Sequence, residues 1–311
     1  MLSFADLHCD TLLSCFNKQT DLSDTFLHIN EQAFKCFDSY IQVFAHFIPE
    51  EMPEKWAFFQ NFLQYSKEIL NRAELPVFED WQNTDKKRIA VLSVEGGDFF
   101  KNINEAKERL PFLKMNNILF FSMVYNHRNS LGCGCAEKRD TGLTGLGKNV
   151  LELLEEYSII PDISHASFKT ANDILNFAKG PVCATHSNAY NLMPHRRNLK
   201  DEQMSAIAES GGLIGVNLYP PFLNEGVADI DDICRHIDYL INICGENAVV
   251  FGCDFDGVDK LPKGINNLTS IEKLNDVMRN KGFSQILIEK IFHKNICCFL
   301  KENFGGKNEV Y

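Results

Sequence analysis

Residues 159–188 read Ile159-Ile-Pro-Asp-Ile-Ser-His165, then a polar and apolar mixture to Gly180-Pro181, then Val182-Cys-Ala-Thr-His-Ser-Asn188. The first run is short and apolar, as a parallel strand buried on both faces requires. Ser167 can cap a helix through Ala171-Asn-Asp-Ile-Leu175 that stops at Gly180-Pro181. Val182–His186 then predicts a second strand. This is one strand–helix–strand unit, and each strand ends on a histidine, His165 and His186. In an α/β barrel the C-terminal ends of the strands carry the active site.

The same alternation extends in both directions. Strands are predicted over Phe4–Asp10, Tyr40–Ile48, Ile89–Glu95, Ile118–Tyr125, Ile159–His165, Val182–His186, Leu213–Tyr219 and Val249–Asp254. Their number matches a TIM-like (β/α)8 barrel. Asp201 and Asp229 can cap the helices ending at Gly211-Gly212 and Gly245. Thr269-x-x-Glu272 has the form of a capping box, and a last helix is expected from Ser284 to about Asn303. No linker divides the chain, so residues 1–311 read as a single barrel domain. The Gly-rich stretch Asn126–Gly147 is either an active-site lid or a surface excursion.

Composition narrows the function. The net charge is −11 with no long basic run, which argues against nucleic acid and anionic membranes as partners. Eleven cysteines without a repeated spacing fit reduced thiols of a cytoplasmic protein. Cys133-x-Cys135 lacks the second pair of a zinc knuckle. No signal peptide or transmembrane span is expected.

Residues able to bind metal gather at strand ends. His8-x-Asp10 ends the first strand, where residues two apart face the same way. Glu95, followed by Gly96-Gly97, ends the third. His165, His186 and Asp254 end the fifth, sixth and eighth. Singly, each has an ordinary alternative: a loop carboxylate, a hydrogen-bonded core histidine, a turn aspartate. Together they offer two imidazoles for one metal, a His–Asp pair for another and a carboxylate able to bridge. Zinc suits such nitrogen and oxygen donors. Two ions could share a hydroxide that attacks a carbonyl, with Asp254 moving the proton. His28, His236 and His293 read as structural, and His46 is a candidate for the pocket wall.

The chain resembles the membrane dipeptidase (renal dipeptidase) family of the amidohydrolase superfamily, in its bacterial, soluble branch. Six ordered segments carry the resemblance: Asp6-Leu-His-Cys-Asp-Thr11, Ser93-Val-Glu-Gly-Gly-Asp98, Asp162-Ile-Ser-His-Ala-Ser167, Thr185-His-Ser-Asn-Ala-Tyr190, His195-Arg-Arg-Asn-Leu199 and Gly252-Cys-Asp-Phe-Asp-Gly-Val258. The resemblance implies two zinc ions per chain. His8 and Asp10 would hold one, His165 and His186 the other, and Glu95 would bridge them. It further implies Asp254 as acid/base residue and contact for the substrate amine, and Arg197 as anchor for the substrate carboxylate, with Arg196 adjacent. Tyr219 would line the pocket. Renal-type members carry a histidine after the fourth strand; here Tyr125 stands there, followed by Asn126 and His127, so Tyr125 or His127 would face the oxyanion. The implied reaction is hydrolysis of free L-Xaa-L/D-Xaa dipeptides by a homodimeric enzyme. A deaminase or lactonase on the same scaffold is the alternative, but those usually carry His-x-His on strand one or a carboxylated lysine on strand four. A non-catalytic metal-binding protein is the third reading.

Overall fold

The computed structural model describes residues 2–81 and 87–305. Its frame is a parallel sheet of seven strands: β1 (Phe4–Cys9), β2 (Tyr40–Phe47), β3 (Arg88–Glu95), β4 (Ile118–Ser122), β5 (Ile160–Asp162), β6 (Ile214–Val216) and β7 (Val249–Phe251). They lie in the order β5-β4-β3-β2-β1-β7-β6. The segment predicted as a strand over Val182–His186 is not a regular strand. It nevertheless lies between the two sheet edges, through parallel bridges Asp162–Cys183 and Ala184–Ile214. Cys183 N–H donates to Pro161 O and Ala184 N–H to Leu213 O. This eighth stave closes the ring, as the TIM-like fold requires.

Two apolar layers follow from the two faces of the ring. The inner cluster takes Ala5 and Leu7 from β1, Ile41 and Val43 from β2, and partners on the other staves, with Phe299 and Leu300 beneath. The outer cluster packs the other strand faces against the helices. His46 falls in the outer layer, its ring 4.7 Å from Phe62 and its Nδ1 3.0 Å from Ser93 O. It is therefore not a pocket wall. Alternation from Ile41 and Val43 puts it on the outside.

Three strands, β5, β6 and β7, are shorter than the apolar runs suggested, and side chains explain why. Beyond β5, Ser164 N–H donates to the Asp162 carboxylate, as does Thr185 N–H. Beyond β6, Asn217 N–H donates to Asn188 Oδ1. Beyond β7, Cys253 N–H donates to Asp6 Oδ1. Buried polar side chains take over backbone donors that a ladder would otherwise use. The chain is thus freed to turn at the mouth of the ring.

The helices mostly follow their caps. Ser167 Oγ accepts from Thr170 N–H at the start of Phe168–Phe177, and Asp229 caps Ile230–Cys244. Asp201 is the first helical residue rather than the cap, which is Lys200. Thr269 does not cap: Asn267 opens a 3₁₀ turn, Leu268–Ser270, that runs into Ile271–Asn280. From Ser284 the helix runs to Phe304 through a π turn at Lys290–Lys294. The stretch from Asn126 is irregular up to Thr144, which caps Gly145–Glu156. It is tied to the loop after β5, with Cys135 N–H donating to His165 O and Ser167 N–H to Cys133 O. All eleven cysteines are free. Among the described residues, no helix is long and apolar enough to cross a membrane.

Candidate metal centre

The centre depends on a break in strand parity. Phe4 and Cys9 pack in the outer cluster while Ala5 and Leu7 pack in the inner one. Strict alternation would send Cys9 inward with Leu7 and His8 outward. The register of β1 against β2 shifts between Asp6 and Cys9, and such a bulge turns a side chain to the other face. Asp6 holds the bulge: its Oδ1 accepts from His8 N–H at 3.4 Å and from Cys253 N–H at 2.8 Å. Asp10 lies past the strand, at the entry to helix Thr11–Lys18. His8 and Asp10 therefore meet through a bulge and a helix start, rather than as neighbours on one strand face.

His8 Nε2 lies 3.4 Å from Asp10 Oδ2, 3.6 Å from Glu95 Oε2 and 3.8 Å from Asp254 Oδ1. The other Glu95 oxygen, Oε1, faces His165 Nε2 at 2.8 Å and His186 Nε2 at 3.5 Å. Those two Nε2 atoms are 2.9 Å apart. Glu95 thus stands between two groups of donors. Among the described residues, His8, Glu95 and His186 form one triad whose ligand atoms lie within 4.8 Å of one another; His8, Asp10 and Asp254 form another.

The electrostatics fit a cation. Burial alone would depress the His8 imidazole, but Glu95, Asp10 and Asp254 push it up to about 10. Burial raises the Glu95 and Asp254 carboxyls, and the charge of Asp10 adds to both. Burial and the charge of Arg197 hold His165 well below the usual range; burial, His8 and Arg197 do the same to His186. Both are neutral imidazoles with a lone pair to give. Among the described residues, buried His8 Nε2 has no hydrogen-bond partner, which is costly unless something binds it. Two neutral imidazoles, a third imidazole and three carboxylates gathered in this way could hold divalent metal ions.

Arg197 is buried and Arg196 exposed, which separates the two arginines. The Arg197 guanidinium lies 3.0 Å from His165 Nε2, 3.3 Å from His186 O and 3.4 Å from Ser187 Oγ. It stacks over Phe222, whose edge meets Tyr219. Tyr125 stacks on His165 with ring centroids 4.3 Å apart. Asn126 Oδ1 lies 3.1 Å from His165 Nδ1. His127 is exposed and bound to Glu50. Small cavities flank the centre. One of about 210 Å³ is lined in part by Cys135, Arg196, Arg197 and Lys200. One of about 230 Å³ is lined in part by Glu50, Gly96, Tyr125 and His127. A roomier cavity, about 580 Å³, lies far from this chemistry, beside Pro161 and Phe304.

Residues outside the sequence reading complete the centre. Asn217 Nδ2 donates to Asp254 Oδ2 at 2.9 Å, leaving Oδ1 toward His8. Asp254 itself has φ 62°, a conformation an L residue adopts at a cost. Gly257 lies in a turn beyond β7. A Cβ there would stand 2.2 Å from Asp10 Oδ2 and 2.5 Å from Asp254 Oδ1. Gly257→Ala is expected to displace both carboxylates and lower activity about 10- to 100-fold, the range for disturbed metal-ligand support. A circular dichroism melt would check that the fold survives. Full activity in a folded variant would show that the carboxylates need no such clearance.

The membrane dipeptidase family model (peptidase family M19) matches residues 2–307. An uncharacterized protein in the pqqA 5′ region of Klebsiella pneumoniae is 39% identical over 228 residues, which are 70% of this chain and 83% of that one. Dipeptidase aclJ of Aspergillus oryzae is 32% identical over 151 residues, 48% of this chain but only 36% of that one. Two crystal structures share the fold. A metallopeptidase from Rhodobacter sphaeroides, liganded with a phosphinate mimic of the dipeptide L-Ala-D-Ala, superposes with a TM-score of 0.84 at 24% identity, covering 97% of this chain and 99% of that one. The metallopeptidase dipeptidase AC gives 0.88 at 24% identity, covering 98% and 99%. With the family model spanning nearly the whole chain, this protein belongs to the membrane dipeptidase family, peptidase family M19.

Proposed function

We propose that the protein is a zinc-dependent dipeptidase that hydrolyses free L-Xaa-L-Xaa or L-Xaa-D-Xaa dipeptides. The observation that supports this reading is Glu95, whose two oxygens face different imidazoles, Oε2 that of His8 and Oε1 those of His165 and His186. His8 and Asp10 would hold one ion, His165 and His186 a second, and Glu95 both. When bound, the ions supply Lewis acidity, activating water near neutral pH and polarising the scissile carbonyl.

The chain's own groups do the rest. Asp254 takes a proton from the attacking water and returns it to the leaving amine. Asn217 orients it for this by holding Oδ2. Asp254 also receives the substrate's free amine. Arg197, beyond His165, receives the C-terminal carboxylate, a task suited to a fixed guanidinium fork. Tyr125, rather than the exposed His127, is assigned to the carbonyl oxygen. Asn126 orients His165 beside the substrate, and Tyr219 bounds the pocket behind Phe222.

Arg197 and Asp254 together would measure substrate length. A panel of L,L and L,D dipeptides, their C-terminal amides and matching tripeptides tests this. Free dipeptides should be cleaved and tripeptides left intact. Arg197→Met should raise KM for free dipeptides about 10- to 100-fold, the value of a lost charge-assisted hydrogen bond, and should change the amides little. Amides cleaved as fast as free dipeptides by the parent enzyme would remove Arg197 from recognition.

A further inference from the structure

His186 reaches the centre through a chain of hydroxyl protons that can be followed one at a time. Asp162, at the end of β5, is buried. Its Oδ1 accepts from Ser164 N–H at 3.0 Å, from Ser164 Oγ at 2.6 Å and from Thr185 N–H at 2.9 Å. Its Oδ2 accepts from Ser122 Oγ at 2.5 Å and from Thr185 Oγ1 at 2.7 Å. Each hydroxyl has one proton to give. The protons of Ser164 and Thr185 are both committed to Asp162. The 3.1 Å approach of Ser164 Oγ to Thr185 Oγ1 therefore carries no proton of its own.

Thr185 Oγ1 also lies 2.9 Å from His186 Nδ1. With its proton already given away, Thr185 can only accept there. His186 Nδ1 must then be the protonated nitrogen, and Nε2 must carry the lone pair. Nε2 is the atom that faces Glu95 and His165. Ser164 Oγ adds a second hold by accepting His186 N–H at 3.1 Å. The two partners of the centre are fixed differently. His165 Nδ1 meets an amide oxygen that also accepts from Cys135 Sγ, whereas His186 leans on a buried carboxylate through one hydroxyl.

We propose that Asp162 and Thr185 are positioning residues that lock His186 in its Nδ1–H tautomer and thereby set the zinc affinity of the His165–His186 side of the centre. The proposal rests on the two-ion reading given above. An outer hydrogen bond to a ligating imidazole fixes its tautomer and raises its basicity. Here the carboxylate acts one residue removed, through Thr185.

The test is a zinc titration of the chelator-stripped, full-length protein in competition with a chromophoric chelator. Parent, Thr185→Val and Thr185→Ser are compared, with the ¹⁵N shifts of His186 recorded on each. Valine keeps the shape and the backbone bond to Asp162 but loses the hydroxyl. It is expected to weaken one of two zinc sites about 10- to 100-fold, leave the other unchanged, and abolish the single Nδ1–H signature. Serine restores the hydroxyl and should restore both affinity and signature. Two sites of parental affinity in Thr185→Val would overturn the relay. So would a serine variant as weak as the valine one, because the methyl group would then be the feature that matters. Fewer than two zinc ions on the parent protein would instead overturn the two-ion reading on which the relay rests.

Discussion

Glu95→Ala is expected to lose bound metal and nearly all turnover together. Glu95 is the carboxylate that faces imidazoles through both of its oxygens, at 3.6 Å from His8 and 2.8 Å from His165. Its removal leaves His8 with Asp10 and Asp254, and leaves two neutral imidazoles without a carboxylate between them. The loss should exceed the roughly 10- to 100-fold typical of residues that only support a metal ligand. Metal analysis after exhaustive dialysis, run beside kcat/KM on a dipeptide, checks both halves. Glu95→Gln sharpens the comparison, because it keeps the volume and removes the charge. A Glu95→Ala protein that retained two ions and near-parental turnover would show that the two halves of the site do not share this residue.

Asp254→Asn should separate binding from chemistry. Asparagine has nearly the same shape, can still accept from Asn217, and can keep the left-handed backbone at φ 62°. It cannot exchange a proton. Metal content is expected to stay near that of the parent, while kcat falls about 10²- to 10⁴-fold, the usual contribution of a positioned general acid or base. The position suits the role: Asp254 is beside His8 and held by Asn217, and burial raises its carboxyl from the ordinary aspartate value. Retained turnover in Asp254→Asn would remove it from proton transfer. Loss of metal along with turnover would recast it as a ligand, which its place in the triad with His8 and Asp10 makes a real distinction.

The sequence carried the strand ends well, because a histidine or carboxylate after an apolar run marks the mouth of a barrel whatever the details. His8, Asp10, Glu95, His165, His186 and Asp254 all meet there in the structure. The reason given for His8 and Asp10 needed correction. Two-residue spacing on a strand did not bring them together; a bulge did, and a bulge leaves no mark in an apolar pattern. His46 was misplaced although its parity with Ile41 and Val43 could have placed it in the outer layer. Asp162, Thr185 and Asn217 lay within readable segments, but they act through hydrogen bonds to other segments, and those depend on tertiary neighbours. Gly257 stands in the last of the six quoted segments without any chemistry of its own. That its missing Cβ leaves room for two carboxylates depends on the tertiary structure.

The proposed function rests on a two-ion centre that cleaves free dipeptides. Its most direct test is to strip the purified protein with a chelator and titrate zinc back while ninhydrin follows release of amino acids from L-Ala-L-Ala and L-Ala-D-Ala. The expected result is no release from stripped protein, recovery that saturates at about two zinc ions per chain, and no cleavage of the matching tripeptides. Hydrolysis that survives chelation, or two bound zinc ions with no dipeptide cleaved across a wide panel, would contradict it.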